Sequence, residues 1–141
     1  MNLTIEAIGI LRAAVDRIAK HPERFDMGYW AGRHPCGTTL CLAGTICMMD
    51  GWTPVFDGSK LGECFEKDEQ KMFATEICAS VLGLSSEHMR DLFHVGRWPT
   101  QFGLEYNGAK TDEARAEALA HRVEFFIKTN GTDRVRKKGT K

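Results

Sequence analysis

The ten residues 40–49, LCLAGTICMM, carry no charged side chain, although 27% of the 141-residue chain is charged. Apolar side chains fill nearly every position, with Leu42, Ile46 and Met48 among the largest. A short helix that is apolar on every side must be covered by other elements, because no polar face is left for water. The sequence therefore predicts a buried central helix over residues 36–49.

The other predicted elements are also helices. Apolar periodicity and capping residues place them at about residues 4–20, 69–82, 85–93 and 111–130. Residues 51–68 and 97–110 read as loops, with at most one short strand near Val55. These patterns predict an all-α fold, a compact bundle of about five helices around a short buried central helix, with little or no β-structure. A single helical domain is expected over residues 1–132, followed by a basic disordered tail at residues 133–141.

Two glycines lie inside predicted helices. Gly9 and Gly44 each cost a helix about 1 kcal/mol relative to alanine. We expect close helix–helix approach at both positions, with Gly44 facing the first helix.

Charge and cysteine content limit the classes of function. Residues 133–141 hold five basic residues and one acidic residue, which leaves 14 basic and 18 acidic residues in the rest of the chain. A mildly acidic body lacks the clustered cations that duplex DNA requires, so specific binding of duplex DNA is not expected. Glu6 and Arg12 interrupt the apolar N-terminal stretch, and no membrane segment is predicted. Five cysteines, an odd number, indicate reduced thiols and a cytoplasmic location.

Three roles are open to Cys36. The dipole of the following helix would favour its thiolate, and a cysteine-dependent hydrolase would pair it with His94 or His121 as the base. Such hydrolases usually bring this histidine on a sheet, which is not predicted here. Alternatively, Thr38 or Thr39 caps the helix and the thiol packs in the core. The third role is that of a turn that binds a ligand.

The ligand-binding alternative draws on two segments, residues 25–38 and 96–107. Backbone N–H groups and hydroxyls at a helix start suit a phosphate or a carboxylate. Arginine adds charge, and aromatic rings allow a planar group to stack. The candidate ligand-binding residues are Trp30, Arg33, Gly37, Thr38, Thr39, Arg97, Trp98 and Tyr106. The same aromatic residues would otherwise close the ends of the helical core or anchor a protein partner.

Neither a metal nor a cofactor is predicted. Structural zinc sites usually show two pairs of closely spaced ligands. Cys36 and Cys41 are five residues apart, and no second pair accompanies them. The glycine-rich phosphate loop that ends in lysine is also missing from the sequence.

Three segments in order, HPERFDMGYW, CGTTLCLAG and VLGLSSEHMRDLF with a following RWP, resemble a group of small bacterial and phage proteins of uncharacterised activity. The resemblance covers roughly residues 20–100. The matching residues are Phe25, Met27, Trp30, Cys36, Gly37, Thr38, Cys41, Ala43, Gly44, Leu82, Gly83, Leu84, Leu92, Phe93 and Trp98. It implies a small cytosolic accessory protein, bacterial or phage-borne, and it implies no activity.

The sequence favours binding over catalysis. The preferred hypothesis is capture of a small anionic or nucleotide-like ligand where the two segments meet, and it predicts that Arg97→Ala weakens binding with little change in melting temperature. A protein–protein interaction module, with a homo-oligomer compatible with the sequence, is the alternative. The second alternative is the hydrolase that uses Cys36.

Overall fold

The computed structural model describes residues 3–34, 37–56, 58 and 61–131. Within these residues the chain forms six α-helices, six β-strands and two short 3-10 turns, Pro22–Arg24 and Val95–Arg97. The helices are α1 (Ile5–Lys20), α2 (Leu42–Met49), α3 (Ala74–Leu82), α4 (Ser86–Phe93), α5 (Thr100–Gly108) and α6 (Asp112–Lys128). The strands are β1 (Ala31–His34), β2 (Gly37–Leu40), β3 (Thr53–Val55), β4 (Leu61–Gly62), β5 (Cys64–Lys67) and β6 (Gln70–Phe73). The predicted tail at residues 133–141 lies outside the described residues.

The all-α prediction is wrong, because the described residues contain two three-stranded antiparallel sheets. Their strand orders are β2-β1-β4 and β3-β5-β6. The β5–β6 hairpin turns through Asp68 and Glu69, whose φ angles of 50° and 68° are both positive. Such turns usually carry Asn-Gly or Asp-Gly, so two acidic residues gave no signal for a hairpin. The strands are two to four residues long, too short for a clear alternating pattern.

The central helix is shorter than predicted. Residues 37–40 form strand β2, and α2 begins only at Leu42. Cys41 is its N-cap, and the Cys41 Sγ accepts a hydrogen bond from the Gly44 N–H at 3.4 Å. Every residue from Leu42 to Cys47 is buried, which agrees with the missing charge in this part of the sequence.

The helical layer packs on this centre. Helices α1 and α6 run antiparallel, since the Leu3 N–H donates to the Asn130 side chain at 3.1 Å while Arg12 pairs with Glu124 one to two turns inward. Helix α5 lies beside α6, within the segment predicted to be a loop. Its interior contains Gly103 and no side chain caps its start, so propensity alone did not indicate a helix.

No helix among the described residues is both long enough and apolar enough to cross a membrane.

Candidate binding cleft beside Trp30

A cleft of about 490 Å³ opens where the two sheets meet. We call it the Trp30 cleft, and it is lined by Gly28, Tyr29, Trp30, Ala31, Val55, Phe56, Leu61, Gly62, Glu63 and Cys64. Sites for small molecules commonly measure about 300–1,000 Å³ and are mostly apolar with a few polar groups. The volume of the Trp30 cleft falls within that range, and its lining combines aromatic and apolar residues with polar groups.

Two glycines allow close backbone approaches at or behind the wall of the cleft. A Cβ at Gly44 would lie 2.1 Å from the Trp30 carbonyl oxygen, so the chain entering β1 lies directly on helix α2. The expectation that Gly44 faces α1 is therefore wrong. A Cβ at Gly62 would lie 3.0 Å from the Val55 carbonyl oxygen, which puts β4 close to the end of β3. Both close backbone contacts are possible only because glycine has no Cβ atom.

The aromatic wall is held by the backbone and by a ring contact. The Gly28 N–H donates to Asp26 Oδ1 at 2.8 Å, closing a short turn before β1. Tyr29 follows with 43% of its surface exposed, and Trp30 is half-buried. The Trp30 ring meets the His94 ring edge-on at a centroid distance of 5.8 Å. The cleft thus has a fixed aromatic surface beside a more exposed one.

One lining residue carries a carboxylate. Glu63 is exposed, and its backbone carbonyl accepts a hydrogen bond from the Ala74 N–H at 3.3 Å, which holds the main chain at this point. None of the lining residues described is a lysine or an arginine. The described wall of the cleft is therefore aromatic and acidic.

Arg97, predicted to bind an anion, is engaged with a buried carboxylate. Its Nε and Nη2 both donate to Asp91 Oδ1 at 3.1 Å. The Asp91 side chain is 1% exposed, whereas that of Arg97 is 38% exposed. Because a buried carboxylate needs a partner, this arginine has a structural function inside the protein.

The two predicted segments converge at Tyr106. Its hydroxyl accepts a hydrogen bond from the Met27 N–H at 3.0 Å, and its ring meets Phe25 and Trp98 edge-on. Trp98 is 3% exposed, and its indole N–H donates to the Leu92 carbonyl at 2.8 Å. The convergence therefore packs these two rings against the protein itself, and Trp98 offers no open face for stacking.

The predicted donors in residues 37–39 do not lie at a helix start. Thr38 and Thr39 are half-buried in β2, where they pair with Arg33 and Gly32 of β1. Gly37 opens the same strand, and Cys36 lies outside the described residues. The predicted helix-start geometry for the donors at residues 37–39 is therefore wrong.

The described thiols are free, and three of the four are core groups. Burial raises the pKa of Cys41 to about 12. A hydrogen bond with Cys47 and burial raise the pKa of Cys78 far above that of an exposed thiol. The thiols of Cys41 and Cys78 therefore stay protonated and are poor nucleophiles. Cys64 is half-buried and lines the Trp30 cleft.

A second groove of about 540 Å³ lies across α1, α5 and α6. Besides Lys128, the charged or titratable residues that line it have partners within the protein: Arg12 pairs with Glu124 at 2.9 Å, and His121 contacts Glu105 at 2.7 Å. This groove is the weaker candidate site for that reason. No group of three or more metal-ligating side chains is found in the described part of the chain.

Among the lining residues that the structure describes, Trp30 is the one that the sequence had predicted to bind a ligand. Sequence reasoning missed Tyr29, Phe56, Leu61, Glu63 and Cys64. The pair Tyr29–Trp30 before a strand was a usable signal, but residues 61–64 were assigned to a loop. Without β4 and β5, nothing indicated that they lie opposite Trp30.

Comparison of the chain with models of known protein families finds no match, and neither curated proteins nor solved structures match it. The resemblance to small bacterial and phage proteins rests on the residues quoted for it.

Proposed function

We propose that the protein is a small cytosolic binding protein that holds a small ligand with a flat or apolar body in the Trp30 cleft. The observation that carries this proposal is the half-buried Trp30, whose backbone carbonyl lies on α2 and whose ring contacts His94, in a cleft of about 490 Å³. A fixed ring costs little entropy when a ligand stacks on it. Free, reduced thiols support the cytosolic part of the proposal.

The flat body of a nucleotide-like ligand suits this wall, but its anionic part has less support. Arg97 pairs with Asp91, and Arg33 is described only by its position in β1. An anionic ligand would need charge from Arg33 or from rearrangement of the Arg97 ion pair.

The test is a nuclear magnetic resonance titration of ¹⁵N-labelled protein with flat heteroaromatic fragments of mixed charge. We expect the amide signals of residues 28–31 and 61–64 to shift together. Tyr29→Ala should weaken fragment binding several-fold, because Tyr29 is exposed at the cleft and its loss leaves no core cavity. Leu104→Ala, 69% exposed on α5, is the matched control and should leave binding unchanged.

Shifts confined to other parts of the protein, or no shifts with any fragment, would contradict the proposal. Equal weakening by the two variants would show that the exposed ring of Tyr29 plays no specific part in binding.

A protein partner is the second candidate, favoured by two exposed apolar residues that line the Trp30 cleft. Leu61 is 47% exposed and Tyr29 is 43% exposed. Tyrosine is a common anchor residue at protein interfaces. Light scattering should then detect an oligomer or a complex that Leu61→Ser weakens. A monomer at high concentration would remove the homo-oligomeric version.

A further inference from the structure

We infer that the ligand of the Trp30 cleft is a small organic cation, such as a methylated or protonated amine. The inference rests on the proposed function, since it names the charge of the ligand in the same cleft. It replaces the anionic character expected from the sequence.

The described wall of the cleft combines aromatic rings with one carboxylate. Trp30 and Tyr29 lie on one side, Phe56 packs its buried ring on Gly62, and Glu63 supplies the negative charge. A ring face attracts a cation through its quadrupole, and tryptophan does so most strongly. Quaternary and methylated ammonium groups are bound in this way because they are weakly hydrated and have apolar surfaces.

The charge of the residues that line the cleft also favours a positively charged ligand. The lining residues that the structure describes include Glu63 and no lysine or arginine. An anion entering this cleft would meet a carboxylate with no described cation to offset it.

The test uses two probes of nearly the same shape, choline and its neutral isostere 3,3-dimethylbutan-1-ol, with benzoate as an anionic probe. Binding is followed by the indole N–H signal of Trp30, assigned by its loss in Trp30→Phe. We expect choline to shift this signal with a Kd at least about tenfold lower than that of the neutral isostere. Higher ionic strength should reduce the preference, because Glu63 is exposed and its charge is screened.

The carboxylate is tested by Glu63→Gln, with Glu66→Gln as the control. Glu66 is an exposed glutamate on β5 that does not line the cleft, and its replacement changes the net charge equally. We expect Glu63→Gln to remove most of the preference for choline, and Glu66→Gln to keep it. Circular dichroism checks that both variants remain folded.

The outcomes separate the two proposals. If choline and the isostere bind equally, the inference about charge fails while binding in the cleft stands. If benzoate binds and choline does not, the inference also fails and the anionic ligand regains support. If no probe shifts Trp30, the inference is overturned, and the fragment titration decides on the cleft itself. Equal loss in both glutamine variants would overturn the role of Glu63.

Discussion

Replacing Arg97 by alanine tests the ion pair that holds the end of α4 to the following turn. Both guanidinium donors go to one oxygen of Asp91, whose side chain is 1% exposed. Truncation of Arg97 leaves a carboxylate in the core without this partner. From the sequence, the same substitution was expected to lower ligand affinity and leave the melting temperature nearly unchanged. The structure reverses that expectation.

The size of the effect follows from the burial of the two partners. Removing one member of a fully buried ion pair costs about 3–5 kcal/mol, whereas exposed pairs contribute about 0–1 kcal/mol. Here the Arg97 side chain is 38% exposed, so water can reach part of the space it leaves. We expect a loss of about 2 kcal/mol in the free energy of unfolding. For a chain of this length that lowers the melting temperature by about 6–10 °C.

Calorimetry and urea unfolding at neutral pH measure this loss. Arg90→Ala is the matched control, because Arg90 is an exposed arginine on α4, next to Asp91, and should change stability by less than about 0.5 kcal/mol. If Arg97→Ala and Arg90→Ala melt within about 1–2 °C of each other, the ion pair does not stabilise the fold and the reasoning is refuted.

The remaining predictions concern packing, thiols and pH. Gly44→Ala should destabilise the protein by more than about 2 kcal/mol, because its Cβ would lie 2.1 Å from a backbone carbonyl. By contrast, a Cβ at Gly9 would have no atom within 4 Å, so Gly9→Ala should stabilise the protein by up to about 1 kcal/mol. Similar melting temperatures for the two variants would contradict the close packing at Gly44. Burial raises the pKa of Cys41 to about 12, so native alkylation at about pH 8 followed by peptide mapping should modify Cys64 well before Cys41, and the reverse order would refute this. Partial burial and two nearby arginines lower the pKa of His94 below 6.5. The stability that its neutral form contributes is therefore complete above about pH 6.5 and is lost as the pH falls below that value. His94→Asn should flatten the pH dependence of the melting temperature between about pH 7.5 and 5.

The helices with clear capping signals were predictable. Helix α1 was expected at residues 4–20 and is found at Ile5–Lys20, with Thr4 accepting a hydrogen bond from Ala7. Thr111 likewise caps α6 as expected. In both helices the capping threonine and the spacing of apolar residues predict the same element, and the tertiary contacts do not change it.

The strands and the cleft were not predictable in the same way. β4 has two residues, and it exists because β1 pairs with it across a distance of 30 residues. Its contact with β3 depends on Gly62, whose sequence environment indicates only a turn. Arg97 and Trp98 were predicted to bind a ligand, but their hydrogen-bond partners are buried groups of α4. Their residue types suggested ligand binding, whereas the structure shows that Arg97 and Trp98 contact groups within the protein itself.

Helix α5 has consequences for the motions of the protein. It contains no fully buried residue, and it is held by Tyr106 at Met27, by the ring pair Phe102–Phe125 and by pairing of Glu105 with His121. Elements with so little buried apolar surface unfold locally at a lower free energy than the core. Amide hydrogen exchange in α5 should accordingly be faster than in α2. Each local opening would release Tyr106 from Met27, and with it the turn that carries Tyr29 into the cleft.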